Sequence, residues 1–188
     1  MKELSPREAV EGLRSGEVAL VPTETVVGLV ADEPGLSRIR EIKGRDDKKP
    51  IALLCRSASE AFGLASNVPP LAQKLADLYW PGPLTLVLDL PTEETIGLRV
   101  PAGRTVRELL EAYGGPLYAT SANLSGEPAR STPDQVDPQV LAAVDIVVVG
   151  EGGSGEASAV VGLSGEKVRL LRPTDELTPE KLAQLAGE

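Results

Sequence analysis

Several short stretches of the 188-residue chain carry side chains able to handle an anion. Lys43-Gly44-Arg45-Asp46-Asp47-Lys48-Lys49-Pro50 places four cations on one connection. Arginine offers phosphate a planar fork and lysine a point charge. Asp46 and Asp47 sit among these cations, so the stretch also reads as a self-paired, solvated loop. Pro22-Thr23-Glu24-Thr25-Val26-Val27-Gly28-Leu29 sets hydroxyls around a carboxylate directly after a predicted strand, and Thr120-Ser121-Ala122-Asn123-Leu124-Ser125-Gly126 follows another. Ligands of open α/β sheets bind beyond the carboxyl ends of strands, so both loops can face one site. Each alone serves equally well as turn or cap chemistry. Gly150-Glu151-Gly152-Gly153-Ser154-Gly155 fits G-x-G-x-x-G, but a β-branched run follows it where a dinucleotide site needs a helix. As a P-loop it has Glu156 in the lysine position, so it reads as a flexible loop.

Absences narrow the chemistry further. With no His, neither a Ser-His-Asp nor a Cys-His mechanism is available, nor a His-ligated metal. A single Cys, Cys55, excludes an intrachain disulfide and a thiolate zinc site. The net charge of −9 argues against a general binder of nucleic-acid backbone, so any anion must be caught by a local cluster. No apolar run approaches the roughly 18 residues of a membrane span. The first residues lack the apolar stretch of a signal peptide, and the expected location is the cytoplasm.

The elements that must position these groups alternate along the chain. Ser5-Pro6-Arg7-Glu8 is a capping box with proline at the first helical position, and Gly16 closes the helix it opens. Glu17–Val21 reads as a strand; Leu36, Ile39 and Ile42 mark a helix; Ile51–Cys55 reads as a strand. A second capping box at Ser57–Glu60 starts another helix, and Leu71, Leu75 and Leu78 stripe the next. Leu84–Leu90 and Ile96–Val100 predict an antiparallel pair. Val106, Leu109, Leu110 and Tyr113 predict a helix ended by Gly114-Gly115. Strands are predicted at Leu117–Thr120, Ile146–Val149, Val160–Leu163 and Val168–Leu171, and a final helix near Thr178-Pro179. With aromatics at only 3%, the core must be aliphatic. The expected architecture is one α/β domain over residues 1–188, a mixed sheet with flanking helices.

PTETVVGL, IKGR…KKPIALL, YWPGPLTLVL, GLRVPAG and ATSANLSGEPA occur in this order. Together they resemble the YrdC-type family, the L-threonylcarbamoyl-adenylate synthases, from about Ser5 to Pro173. The resemblance implies a twisted mixed sheet around a concave cavity. It also implies an enzyme that condenses L-threonine, bicarbonate or CO2, and ATP into threonylcarbamoyl-AMP and pyrophosphate, with Mg2+ held mainly through the ATP phosphates. Other proteins would transfer the threonylcarbamoyl group to tRNA. Some longer relatives carry a further C-terminal domain, which this chain is expected to lack.

Carried over by motif, Thr25 contacts threonine with Thr23 beside it, Arg99 pairs with the threonine carboxylate, Ala119 acts through its backbone, and Ser158 completes the amino-acid pocket. Arg45, Lys49 and Lys43 are the implied catalytic cations. Arg45 and Lys49 also hold ATP, together with Thr95, Ser121, Asn123, Ala129 and Arg172. The sequence departs from the family pattern at Val27, where an aromatic is usual and the pocket wall is expected to change. Other departures fall at Asp46, Leu54, Ala159 and Gly162. Two other classes stay open: a nucleic-acid-binding module, and a nucleotide-binding relative that has lost synthase activity.

The basic stretch yields the sharpest test. Arg45→Ala is expected to lower threonine-dependent pyrophosphate release by a factor on the order of 100 or more, the scale of losing a charge stabiliser in the transition state. Its melting temperature should barely move. Arg56→Ala, removing a nearby cation outside every motif, should turn over normally; equal damage in both would return the stretch to a solvated loop.

Overall fold

The computed structural model describes residues 1–44, 51–92, 94–165 and 167–187. Strands and helices alternate as β1 (Lys2–Leu4), α1 (Ala9–Arg14), β2 (Ala19–Val21), β3 (Gly28–Ala31), α2 (Leu36–Lys43), β4 (Ala52–Leu54), α3 (Ala58–Leu64), α4 (Pro70–Tyr79), β5 (Leu84–Asp89), β6 (Thr95–Arg99), α5 (Arg104–Tyr113), β7 (Leu117–Ser121), α6 (Pro138–Ala143), β8 (Ile146–Val148), β9 (Ala159–Gly162), β10 (Arg169–Arg172) and α7 (Pro179–Gly187). These strands form one mixed sheet in the order β1-β8-β2-β3-β7-β4-β6-β5-β9-β10. The predicted pair β5–β6 is antiparallel, with Leu86 opposite Leu98 and Asp89 opposite Thr95. Strand β9 joins β5 in parallel.

Period-2 alternation decides which side chains face where. In β5 and β6, Leu84, Leu86, Leu88, Ile96 and Leu98 point to a core roofed by α3, α4 and α7. In β2 and β3, Ala19, Val21 and Val30 face a core under α1 and α5, whereas Leu20, Leu29 and Ala31 face a third under α2 and α6. That half of the sheet is covered on both sides. Strands β6, β5 and β9 carry their helices on one side, and β4 borders both halves, with Leu53 in the first core and Leu54 in the second.

Differences from the predicted elements have local causes. The first capping box forms, with Ser5 N–H donating to Glu8 Oε2 at 2.9 Å, but regular helix begins only at Ala9. Strand β1 has no alternating signature; it is an edge strand recruited by parallel pairing of Lys2–Leu4 with Ile146–Val148. Strand β3 begins within the last two residues, Gly28 and Leu29, of the stretch expected to be a loop. Burial on both faces makes it uniformly apolar, without the alternation that marks a half-exposed strand. The second box forms as predicted, Ser57 Oγ accepting from Glu60 N–H at 3.1 Å. Helix α6, not anticipated, is capped by Asp137, whose Oδ1 accepts from Gln139 N–H at 2.7 Å. In α4, Leu75 is fully buried but Leu78 is 57% exposed, so the predicted stripe is narrower than three leucines.

Leu75→Ala should therefore cost about 3 kcal/mol in denaturant unfolding, the scale for emptying a buried leucine site. Leu78→Ala should stay within about 0.5 kcal/mol of the parent.

Candidate active site

Seven polar or charged side chains are buried among the described residues: Thr23, Thr25, Lys43, Thr85, Arg99, Asn123 and Ser158. Burying such groups is costly unless each is hydrogen-bonded. All seven either line one cavity of about 490 Å³ or brace a residue that does. The cavity occupies the sheet face left bare by helices. Thr85 and Val87 of β5, Gly97 and Arg99 of β6, Ala52 and Leu54 of β4, and Val160 of β9 point into it, each one position out of phase with the core leucines. Ala119, Thr120 and Ser121 of β7 close a second wall. Gly97 keeps the floor low, since a Cβ there would sit 3.1 Å from Thr85 and 3.3 Å from Ala52.

Arg99 is the electrostatic centre. Its Nη2 donates to Glu24 Oε1 at 2.5 Å and to Thr25 Oγ1 at 3.0 Å, and its Nε donates to the Gly82 carbonyl at 3.2 Å. The other Glu24 oxygen accepts from Gly103 N–H at 2.8 Å. Burial pushes the Glu24 carboxyl upward, but the Arg99 charge and these hydrogen bonds outweigh it and hold the group below the ordinary carboxylate value.

The threonine hydroxyls form a chain of fixed polarity. Thr23 Oγ1 donates to the Val26 carbonyl at 2.7 Å, so its one proton is committed. The 2.9 Å contact between Thr23 and Thr25 then requires Thr25 to donate. Thr25 Oγ1, already accepting from Arg99, keeps one lone pair for a ligand N–H.

Across the cavity, Arg172 Nε donates to the Ser158 carbonyl at 2.6 Å and Nη2 to Ser158 Oγ at 3.3 Å. Ser158 Oγ also meets Thr85 Oγ1 at 3.0 Å. Burial first, then repulsion from Arg99, lowers the Arg172 pKa. Among the described residues Arg172 forms no ion pair with a carboxylate. Among the described residues, two guanidiniums thus border one cavity and only Arg99 is paired with a carboxylate, an arrangement that favours an anionic ligand.

The structure thus brings together Thr23, Thr25, Arg99, Ala119, Ser121, Ser158 and Arg172. Lys43 and Asn123 lie one layer behind. Lys43, 3% exposed at the end of α2, donates through Nζ to the Ser121 carbonyl at 2.6 Å and to Asn123 Oδ1 at 2.9 Å. Asn123 Oδ1 also accepts from Ser121 Oγ at 2.5 Å. Ala129 is half-buried in the connection after β7 and is not among the lining residues. Thr95 is exposed at the far end of β6, roughly 13 Å along the strand from Arg99. Arg45 and Lys49 lie outside the described residues.

Two expectations are corrected. Val27 is fully buried in the core beneath α2 and α6, and its neighbour Val26 lines the cavity instead. The glycine-rich loop is followed by β9, as anticipated, but it is not free-standing. Gly153, Ser154 and Gly155 N–H groups bond to the carbonyls of Ser131, Glu24 and Thr25 at 3.0, 3.0 and 2.8 Å. The sequence reading missed Thr85 and the pairing of Glu24 with Arg99. The alternation Leu84-Thr85-Leu86-Val87-Leu88 carried the signal for Thr85; nothing local carried it for Glu24, 75 residues from its partner.

A model of the Sua5/YciO/YrdC family, described as telomere recombination, matches residues 11–174. Threonylcarbamoyl-AMP synthase of Pyrococcus abyssi is 34% identical over 203 residues, which cover 100% of this chain and 59% of that protein. The enzyme of the same name from Stenotrophomonas maltophilia is 34% identical, over 90% of this chain and 100% of that one. The crystal structure of P. abyssi Sua5 complexed with L-threonine superposes with a TM-score of 0.87 at 31% identity, over 100% of this chain and 60% of that chain. E. coli YciO superposes with a TM-score of 0.79 at 27% identity, covering 91% of this chain and 92% of that one. The chain belongs to the Sua5/YciO/YrdC family. It spans about three-fifths of the Pyrococcus protein. Among the described residues, no helix is long and apolar enough to cross a membrane.

Glu24→Gln leaves Arg99 buried without its counter-ion and is expected to cost about 3 kcal/mol at neutral pH. Because the folded-state pKa of Glu24 lies below its ordinary 4.5, the pair's contribution is complete above that value and is lost as pH falls through the folded-state one. The gap in melting temperature between parent and variant should hold from about pH 8 to about pH 6 and close below the ordinary value.

Proposed function

We propose that the chain condenses L-threonine, CO2 or bicarbonate, and ATP into L-threonylcarbamoyl-AMP and pyrophosphate, a nucleotidyl transfer. Transferase proteins would then carry the threonylcarbamoyl group to tRNA. Support comes from relatives named for this activity and from the L-threonine complex of the Pyrococcus protein. The observation that carries the reading is the cavity wall. Arg99 and the Thr25 hydroxyl stand on one side, Arg172 and Ser158 on the other.

Those groups suit the ligands. Arg99 attracts the threonine carboxylate, and the remaining lone pair of Thr25 accepts from the amine. Ala119 and Ser158 border the amino acid. Arg172 and Ser121 face the nucleotide, and Lys43 and Asn123 act by holding Ser121; the family motif implies Arg45 and Lys49 as ATP cations, and Thr95 and Ala129, outside the cavity lining, as further ATP positions.

The amine nitrogen adds to CO2, or to bicarbonate after dehydration, and loses a proton. A carbamate oxygen then bonds to the α-phosphorus of ATP. The bond from that phosphorus to its bridging oxygen breaks, and the electron pair leaves with pyrophosphate. Such transfers need positioning and charge stabilisation from the protein more than covalent help. Mg2+, when bound, supplies charge neutralisation on the phosphates. Both Glu24 oxygens are already engaged, so the ion fits a site made of phosphate oxygens and water.

Mass spectrometry of the nucleotide formed from ATP, Mg2+, bicarbonate and L-threonine should show threonylcarbamoyl-AMP. Arg99→Lys should weaken threonine binding by about 10-fold or more, because lysine cannot reproduce the planar fork, and should change ATP binding far less. ATP binding without threonine-dependent pyrophosphate would identify a relative lacking synthase activity. Equal losses for both ligands would place Arg99 on the phosphates or in the scaffold.

A further inference from the structure

The glycine-rich stretch that no nucleotide motif accounts for lies across the back of the Thr23–Thr25 loop. Ser154 N–H donates to the Glu24 carbonyl and Gly155 N–H to the Thr25 carbonyl. On its other side Gly153 N–H donates to the Ser131 carbonyl, and Val27 N–H donates to the Arg130 carbonyl at 2.8 Å. The strap is therefore held between the residue 130–131 segment and the loop that lines the cavity.

Contact at Gly153 is closer than any side chain permits. A Cβ there would come within 2.5 Å of the Glu24 carbonyl carbon and the Thr25 oxygen, and closer still to the Thr23 oxygen. All three are backbone atoms, which cannot swing aside as a flexible side chain can. Gly103 presses on the same loop from another direction, its would-be Cβ 2.8 Å from Glu24 N and 3.0 Å from Glu24 Oε2. A few residues further along, the strap supplies Ala157 and Ser158 to the cavity, and Ser158 holds Arg172. One short run of backbone thus touches the wall bearing Thr25 and Arg99, then becomes the wall bearing Ser158 and Arg172.

We propose that residues 153–158 form a positioning strap that sets the distance between the two walls of the cavity, with Gly153 as its critical residue. The inference rests on the proposed function for the identity of the ligand, not for the mechanics. A displacement at positions 23–25 moves the Thr25 hydroxyl and the carboxylate that orients Arg99, the groups proposed to bind threonine, so the loss falls on threonine binding.

Gly153→Ala should raise the KM for threonine about 10-fold or more while kcat and the ATP Kd stay within about twofold, the mark of lost substrate binding. Gly165→Ala is the control. It strains a turn at φ +62° with nothing within 4 Å of the new Cβ, so it should lower the melting temperature and leave all three constants alone. A crystal structure of Gly153→Ala should show the Thr23–Thr25 backbone displaced and the Glu24–Arg99 pair broken or lengthened. An unchanged loop overturns the strap whatever the activity. An unchanged KM for threonine, or equal losses for ATP and threonine, overturns it as well. Hydrogen exchange on the parent protein covers the case of a variant that does not fold. Added L-threonine with ATP should slow the Ser154 and Gly155 amides, and unaltered exchange in the presence of bound threonine overturns the strap. If the parent makes no threonylcarbamoyl-AMP, the proposed function fails, and the crystal structure of the variant still decides the strap.

Discussion

A guanidinium buried at the end of β6 must be neutralised, and much of the site is arranged around that need. Arg99 is 7% exposed, and an unpaired charge at such a position costs several kcal/mol. Glu24 answers it from a loop 75 residues away, with its second oxygen fixed by Gly103 N–H. That one carboxylate ties the end of β6, the loop between β2 and β3, and the entry to α5 into a single unit. Replacing the pair with apolar residues would satisfy the core equally well. The ionic version leaves a polarised Thr25 hydroxyl and a cation bordering a cavity.

The cavity follows from how helices are shared out over the sheet. Where α1 and α5 face α2 and α6, both sides of β2 and β3 are covered, and the cavity touches β3 only at Gly28. Around β5 and β6 the helices α3, α4 and α7 lie on one side only. The bare side is floored by small or polar residues, Ala52, Thr85 and Gly97 among them, so it stays open instead of collapsing. With the chain at −9 overall, the positive charge bordering this cavity is local, carried among the described residues by Arg99 and Arg172.

Much of the architecture was legible in the residues. Helices α1 to α5 and α7 announced themselves through apolar spacing and capping chemistry, and the β5–β6 pair through alternation. Such signals are local, because a capping box or a period-2 run is complete within a few residues. The sequence also supplied Thr25, Arg99, Ser121, Ser158 and Arg172, which reach the cavity, although Thr95 and Ala129 do not. Strands β1 and β3 escaped notice because their identity comes from neighbours. β1 is a strand only because β8 pairs with it, and β3 is apolar throughout because helices cover both of its faces.

What the amino-acid sequence determined by itself was the inventory: an aliphatic α/β chain without histidine, two hydroxyl-rich loops after strands, and arginines at Arg99 and Arg172. Only the tertiary structure decided what each of these touches. Glu24 became the partner of Arg99, Lys43 a brace behind Ser121, and a glycine-rich loop a strap against Thr23–Thr25. The reason is physical. Secondary structure is specified by interactions between residues a few positions apart. The desolvation, hydrogen bonding and close backbone contact that make this site act between segments brought together only by folding.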